Sequence, residues 1–195
     1  MGYTYSEKDF IKLSWEDIEK YINGICSEIT DFIRENNLKI RFIVPVIRGG
    51  AIPAVLLSHK LRVTDFLPAQ VKVSHRLSKV EIKVDLRDIK APALNNGECV
   101  LIVEGNHVTG GSASIVKDMA VDKFGKETKI IYVSISKDYS YKDSVGGVVY
   151  STCGLYTNET KKLSRDECVQ LNIDYEKITL FPWETVEGEL KEING

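Results

Sequence analysis

Residues 100–112 read Val-Leu-Ile-Val-Glu-Gly-Asn-His-Val-Thr-Gly-Gly-Ser, and no other stretch constrains the fold so tightly. Four apolar residues in succession, starting at Val100, predict a strand covered on both faces, since a half-exposed strand would alternate apolar with polar. Glu104 follows at the strand's end. A short loop closes on Thr109-Gly110-Gly111-Ser112, and residues 113–120 have helical character. Small residues there let backbone N–H groups approach an anion, hydroxyls on either side can donate to it, and the next helix presents its positive end. Such a strand–loop–helix unit suits a phosphorylated ligand. The acid beside the cradle makes a sugar phosphate with a metal ion a better fit than a bare anion.

The remaining pattern repeats the alternation of strand and helix. Ser14 and Asp17 form a capping-box pair ahead of Ile18, Tyr21, Ile22, Ile25, Ile29, Phe32 and Ile33, which predicts an amphipathic helix reaching Asn36-Asn37. A strand is expected over 42–47, ending in Arg48-Gly49-Gly50, then a helix over 51–61 with Pro53 in its first turn. A strand is expected over 69–74. Residues 75–91 are charged, with apolar–polar alternation over 80–86, and fit either a hairpin or a mobile loop. Asn95-Asn96-Gly97 marks a turn before the opening unit. Further strands are expected over 129–136, which leads to Lys137, and over 145–150; the run 178–184 closes the pattern. Strands alternating with helices imply an α/β fold, a mainly parallel sheet with helices on both faces and ligands at the strands' carboxyl ends. Arg48, Glu104 and Lys137 mark three such ends.

At 195 residues the chain can bury one sizeable core, so a single domain spanning 1–195 is expected. A formal net charge of −2 gives no general nucleic-acid or membrane surface, and no apolar run approaches the roughly 20 residues needed to cross a bilayer. The first ten residues are polar and aromatic, unlike a signal peptide, so the cytoplasm is the expected compartment. Cys26, Cys99, Cys153 and Cys168 are scattered without a CxxC pair and are expected to be buried or incidental thiols, with Cys153 the one worth testing for reactivity.

The loop at Arg48-Gly49-Gly50, the run 104–112, Lys137 and the terminal Phe181-Pro182-Trp183-Glu184 stand in an order that resembles the type I phosphoribosyltransferase family. The resemblance covers roughly 15–184 and is closest to the xanthine-guanine and hypoxanthine branch. It implies a parallel sheet flanked by helices, with a small hood built from the chain ends. It also implies transfer of the 5-phosphoribosyl group from phosphoribosyl pyrophosphate (PRPP) to a nucleobase of the purine type. Arg48 and Gly49 would bind the leaving diphosphate, and Glu104 the ribose hydroxyls. Thr109, Gly110, Gly111, Ser112 and the Ala113 amide would hold the 5′-phosphate. Lys137 would contact the base's exocyclic oxygen, and Ile178 would lie at its face. Arg48, Glu104 and His107 are the catalytic candidates. Mg²⁺ would be held mainly by PRPP, with Glu104 as a further ligand. Residues 75–88 would form a lid that excludes water. Small-molecule ligands and a homodimer or homotetramer are the implied partners.

The sequence departs from that pattern at Ile178 or a neighbour, where an aromatic residue usually stacks on the purine, and at two positions of the loop. Gly105 stands where a second acid usually follows the first, and Val108 where an aspartate usually handles a proton on the base; His107 is the neighbouring substitute. These departures leave open a PRPP- or nucleotide-binding regulatory module with weak or no turnover, or a different acceptor in a pocket reshaped by residues 145–163. His59 and His75 are expected to be structural or exposed, Trp183 to be core, and the acidic run 184–192 to be a solvated end.

Overall fold

The computed structural model of the protein describes residues 4–74, 79–158 and 177–194. In chain order the elements are β1 (Phe10–Lys12), α1 (Trp15–Glu35), β2 (Lys39–Pro45), α2 (Ala51–Leu61), β3 (Gln70–Ser74), β4 (Lys79–Val84), β5 (Glu98–His107), α3 (Gly111–Phe124), β6 (Lys129–Asp138), β7 (Tyr150–Thr157), β8 (Ile178–Leu180) and α4 (Val186–Asn194).

The central sheet is parallel throughout, in the order β2-β5-β6-β7. Bridges from Phe66 and Ala69 extend it beyond β2. Successive side chains of a strand face opposite ways, so β5 and β6 feed two cores. Leu101, Val103, Ile131 and Val133 pack against Ile18, Ile22, Ile25 and Ile29 of α1. Val100, Ile102, Ile130 and Tyr132 pack against Val116, Met119 and Ala120 of α3. The capping box forms as expected: the Ser14 hydroxyl accepts the Asp17 N–H, and the Asp17 carboxylate accepts the Ser14 N–H at 2.8 Å.

The chain ends meet above the sheet. β1 and β8 pair in parallel, and Asn194 exchanges two 2.9 Å hydrogen bonds with the Tyr5 backbone. No described helix is long and apolar enough to cross a membrane.

Several expectations change. The strand expected over 145–150 lies at Tyr150–Thr157 instead. Val145 is a buried anchor, and Gly147, at φ +76°, turns the chain before the strand starts. The choice between hairpin and loop for the charged segment resolves as a hairpin, β3 pairing antiparallel with β4. The expected lid over 75–88 is only partly described, since His75 and residues 76–78 lie outside the described residues. Its far end is no lid: Leu86 is fully buried, and Arg87 is tied to the Asp85 carboxylate. Residues 159–163 and Cys168 also lie outside the described residues. Cys26, Cys99 and Cys153 are free thiols. Burial pushes the Cys99 thiol up to about 12 and raises that of Cys153, so neither presents a ready thiolate. His59 is exposed on α2.

Candidate functional site

Two glycine contacts build the floor of the site. A Cβ on Gly50 would lie 2.1 Å from the Val103 carbonyl oxygen, and one on Gly105 would lie 2.7 Å from that of Gly49. Only bare backbone lets the turn after β2 rest on the carboxyl end of β5. The turn is tight, with the Gly50 N–H donating to the Val46 carbonyl at 2.8 Å, and its Ile47–Arg48 peptide is cis. Arg48 and Gly49 thus stand beside Glu104, Gly105 and Asn106 on the wall of a cavity of about 760 Å³.

Glu104 is held from behind by a chain of hydrogen bonds. Tyr132, wholly buried on β6, donates its hydroxyl to the Glu104 carboxylate. Its oxygen lies 2.7 Å from Nδ1 of His107. Nε2 lies 3.0 Å from the Tyr141 carbonyl oxygen, which accepts only from an Nε2–H, and 2.9 Å from Ser144 Oγ.

His107 and Ser144 also abut the glycine loop. A Cβ on Gly110 would lie 2.2 Å from Ser144 Oγ and 2.7 Å from His107 Cε1. Gly110, at φ +78°, starts α3 without a side-chain cap. The first intrahelical bond runs from the Ser114 N–H to the Gly110 carbonyl at 2.9 Å. The N–H groups of Gly111, Ser112 and Ala113 therefore form the open first turn, an electropositive end suited to an anion. Ser112 lines the cavity, whereas the Ala113 side chain is buried and offers only its amide.

The structure thus brings Arg48, Gly49, Glu104 and Ser112 to one cavity; Thr109, Gly110, Gly111 and Ala113 flank Ser112 without lining it, and His107, Lys137 and Ile178 also stand outside its lining. His107 is buried with both ring nitrogens occupied, so it positions Glu104 and Gly110 rather than facing a ligand. Lys137 is buried as well: its Nζ donates to Ser151 Oγ at 2.8 Å and sits 5.1 Å from the Tyr132 ring centroid. Burial lowers the pKa of that amine. Ile178 pairs with Phe10 on β8, out of phase with Phe181, the residue that reaches the cavity.

Phe181 and Trp183 both line the cavity, their rings stacked at 4.8 Å and 9°. Trp183, expected as core, is half-buried there.

The acidic run 184–192 is solvated only in part: Glu187 and Glu192 are exposed, whereas Glu184 and Glu189 are half-buried. Thr185 accepts the Gly188 N–H on its side chain at 3.1 Å and the Glu189 N–H on its carbonyl at 3.0 Å, which starts α4. Glu189 and Glu192, three residues apart on α4, share a face and line the cavity with Glu184. Glu192 pairs with Arg48 and lies 3.6 Å from Lys72. Burial lifts the Glu184 carboxyl to about 7, with Glu189 and Glu192 adding to the shift and Arg48 and a 3.0 Å hydrogen bond from the Phe181 N–H opposing it. Burial, with Glu192 beside it, also raises Glu189. The helix was readable from the Thr185 cap and the spacing of the acids. Lys72 and Lys83, which reach the cavity from the hairpin, carry no local signal.

No protein-family model and no curated protein matches the sequence. Solved structures do match. A purine phosphoribosyltransferase from Pyrococcus horikoshii is 23% identical, with 91% of this chain and 95% of that one covered at a TM-score of 0.62. A hypothetical protein from Neisseria gonorrhoeae with bound ppGpp is 16% identical, with 97% of each chain covered at 0.63. The xanthine-guanine-hypoxanthine phosphoribosyltransferase of Helicobacter pylori is 16% identical, with 93% and 97% covered at 0.59. Together with the parallel sheet, its flanking helices and the hood of chain ends, these likenesses establish that the chain has the fold of the type I phosphoribosyltransferases.

Proposed function

We propose that the protein transfers the 5-phosphoribosyl group of PRPP to a purine nucleobase and releases diphosphate. The observation that carries this reading is the convergence on one cavity of Arg48 and Gly49, Glu104, Ser112 at the α3 N-terminus and the Phe181–Trp183 pair. Each suits one part of the substrates. Open amides with the Ser112 and Thr109 hydroxyls fit a phosphate, Glu104 accepts from ribose hydroxyls, and Arg48 with Lys72 and Lys83 balances a diphosphate. The half-buried Trp183, backed by Phe181, gives the cavity an aromatic wall for a flat base.

The described residues hold no cluster of three or more metal-ligating side chains. One carboxylate, Glu104, beside a phosphate site fits Mg²⁺, which takes one or two protein oxygens alongside substrate phosphates. When bound with PRPP, Mg²⁺ would neutralise charge building on the diphosphate. In this reading the protein works in the cytoplasm as a homodimer or homotetramer.

Incubation with PRPP, Mg²⁺ and hypoxanthine, guanine, xanthine or adenine tests the proposal, with nucleotide and diphosphate as the expected products. Absence of product with every base sinks it. A binding or regulatory module is favoured by Val108, an exposed apolar residue at the end of the loop, and by the ppGpp held by the Neisseria relative. Tight binding of PRPP or a nucleotide in calorimetry, with no turnover, is its signature.

A further inference from the structure

Forming a glycosidic bond at a purine's imidazole ring requires one ring nitrogen to attack while the proton on the other departs. A group in the cavity that accepts that proton lowers the barrier. His107 faces away from the cavity, and Val108 has no basic atom. Among the described residues, the ionisable ones that line the cavity are Arg48, Lys72, Lys83, Glu104, Glu184, Glu189 and Glu192. The cations are the wrong type. Glu104 is held by the Tyr132 hydroxyl and is assigned to the ribose hydroxyls in the proposed reading, and Glu192 is paired with Arg48 and Lys72. Of the two that remain, Glu184 follows Trp183 directly, and its carboxylate is fixed by the Phe181 N–H at 3.0 Å, at the foot of the stacked pair. That bond occupies one of roughly four lone-pair positions on the carboxylate.

We propose that Glu184 is the group that accepts the ring N–H proton of the nucleobase; the assignment rests on the phosphoribosyl-transfer reading. The proton passes from one imidazole nitrogen to the Glu184 carboxylate, and the lone pair of the other forms the N–C bond to the ribosyl carbon. The C–O bond to diphosphate breaks, and its electron pair leaves with diphosphate. Glu184 then releases the proton to water. No further reactant is needed.

The electrostatics suit this task. Burial and the like charges of Glu189 and Glu192 on α4 hold the Glu184 carboxyl near 7, against Arg48 from the turn after β2 and the Phe181 N–H from β8's end. Lys72 and Lys83 face the same space from the hairpin, and Glu104 from β5. A base with that affinity is competent near neutral pH and silent below it.

The test compares wild type, E184Q and E189Q with the base that turns over best, by kcat/KM from about pH 5.5 to 9 and by PRPP affinity in calorimetry. Glutamine keeps an acceptor for the Phe181 N–H, so the fold and the PRPP Kd should hold. Wild-type kcat/KM should rise through about pH 7 to a plateau. E184Q should lose that rise and fall by roughly 10²- to 10⁴-fold at neutral pH. E189Q should keep the rise and move it to lower pH, because one like charge beside Glu184 is gone. An active wild type with an equally active E184Q, or an acidic limb that survives in E184Q and vanishes in E189Q, overturns the assignment alone. A wild type inactive with every base overturns the transfer reading, and this assignment with it.

Discussion

Gly105 is set by sterics before chemistry. A side chain there would drive its Cβ to 2.7 Å from the Gly49 carbonyl oxygen, so an acid at this position and the present path of the turn exclude each other. Gly105→Asp should therefore cost about 1–3 kcal/mol through overpacking and should not raise activity. Thermal denaturation with a turnover assay checks both, and a stable, faster variant defeats the argument. Tyr132 makes the complementary case. Tyr132→Phe keeps the ring but removes the hydroxyl that donates to Glu104 and lies 2.7 Å from His107 Nδ1. A loss of about 1–3 kcal/mol is expected, with weaker PRPP binding in calorimetry. Unchanged PRPP affinity would show that Glu104 needs no such support. The missing acids at 105 and 108 were legible from sequence order. The reason for Gly105 was not, because it depends on the backbone of a turn more than fifty positions earlier.

At the level of elements, α4 is the part that changes the picture of the site. Its Glu192 occupies Arg48 and approaches Lys72, two cations that a diphosphate would also seek. Both partners are largely exposed, so the pairing is worth only about 0.2–1 kcal/mol. Glu192→Gln should accordingly tighten diphosphate binding by about 1.4- to 5-fold. The gain should shrink as salt screens the pair. Calorimetry at two ionic strengths decides it; equal affinities at low salt would mean that α4 does not compete for Arg48. α1 was legible because local capping and apolar spacing agree with its packing. α4 was read only in part: Glu187 and Glu192 are exposed, as its acidic composition suggests, but the half-burial of Glu184 and Glu189 at the cavity depends on where the chain end returns. β7 was misplaced for a related reason. As an edge strand rich in Ser, Thr, Cys and Gly, it lacks the continuous apolar run that marks β5 and β6.

Across the whole molecule, what could be read in advance follows the range of the interactions involved. Parallel α/β architecture showed in the buried strands and their intervening helices, and the glycine turns showed in contiguous residues. The carboxylates of the hood and the hairpin lysines meet the turn after β2 only once the chain closes on itself. That closure has a measurable thermodynamic trace. Folding raises Glu184 from an ordinary value of 4.5 to about 7, so between those pH values the folded state binds more protons than the unfolded one. Stability then falls as pH rises through this window, and this group contributes no further change above it. The shift corresponds to at most about 3.4 kcal/mol, reduced to roughly 1–3 kcal/mol at a half-buried site open to water. Glu189 is raised too and acts in the same direction. Asp17 and Asp85 are held below their ordinary 3.8 by the Ser14 and Arg87 hydrogen bonds. Their stabilisation is lost only as pH falls further, outside the window. Glutamine at 184 carries no charge in either state, so E184Q should flatten the decline. Its melting temperature should gain on wild type by about 2–4 °C for each kcal/mol as pH rises from 4.5 to 7. Parallel melting curves for the two proteins across that range would mean that the hood does not desolvate this carboxylate.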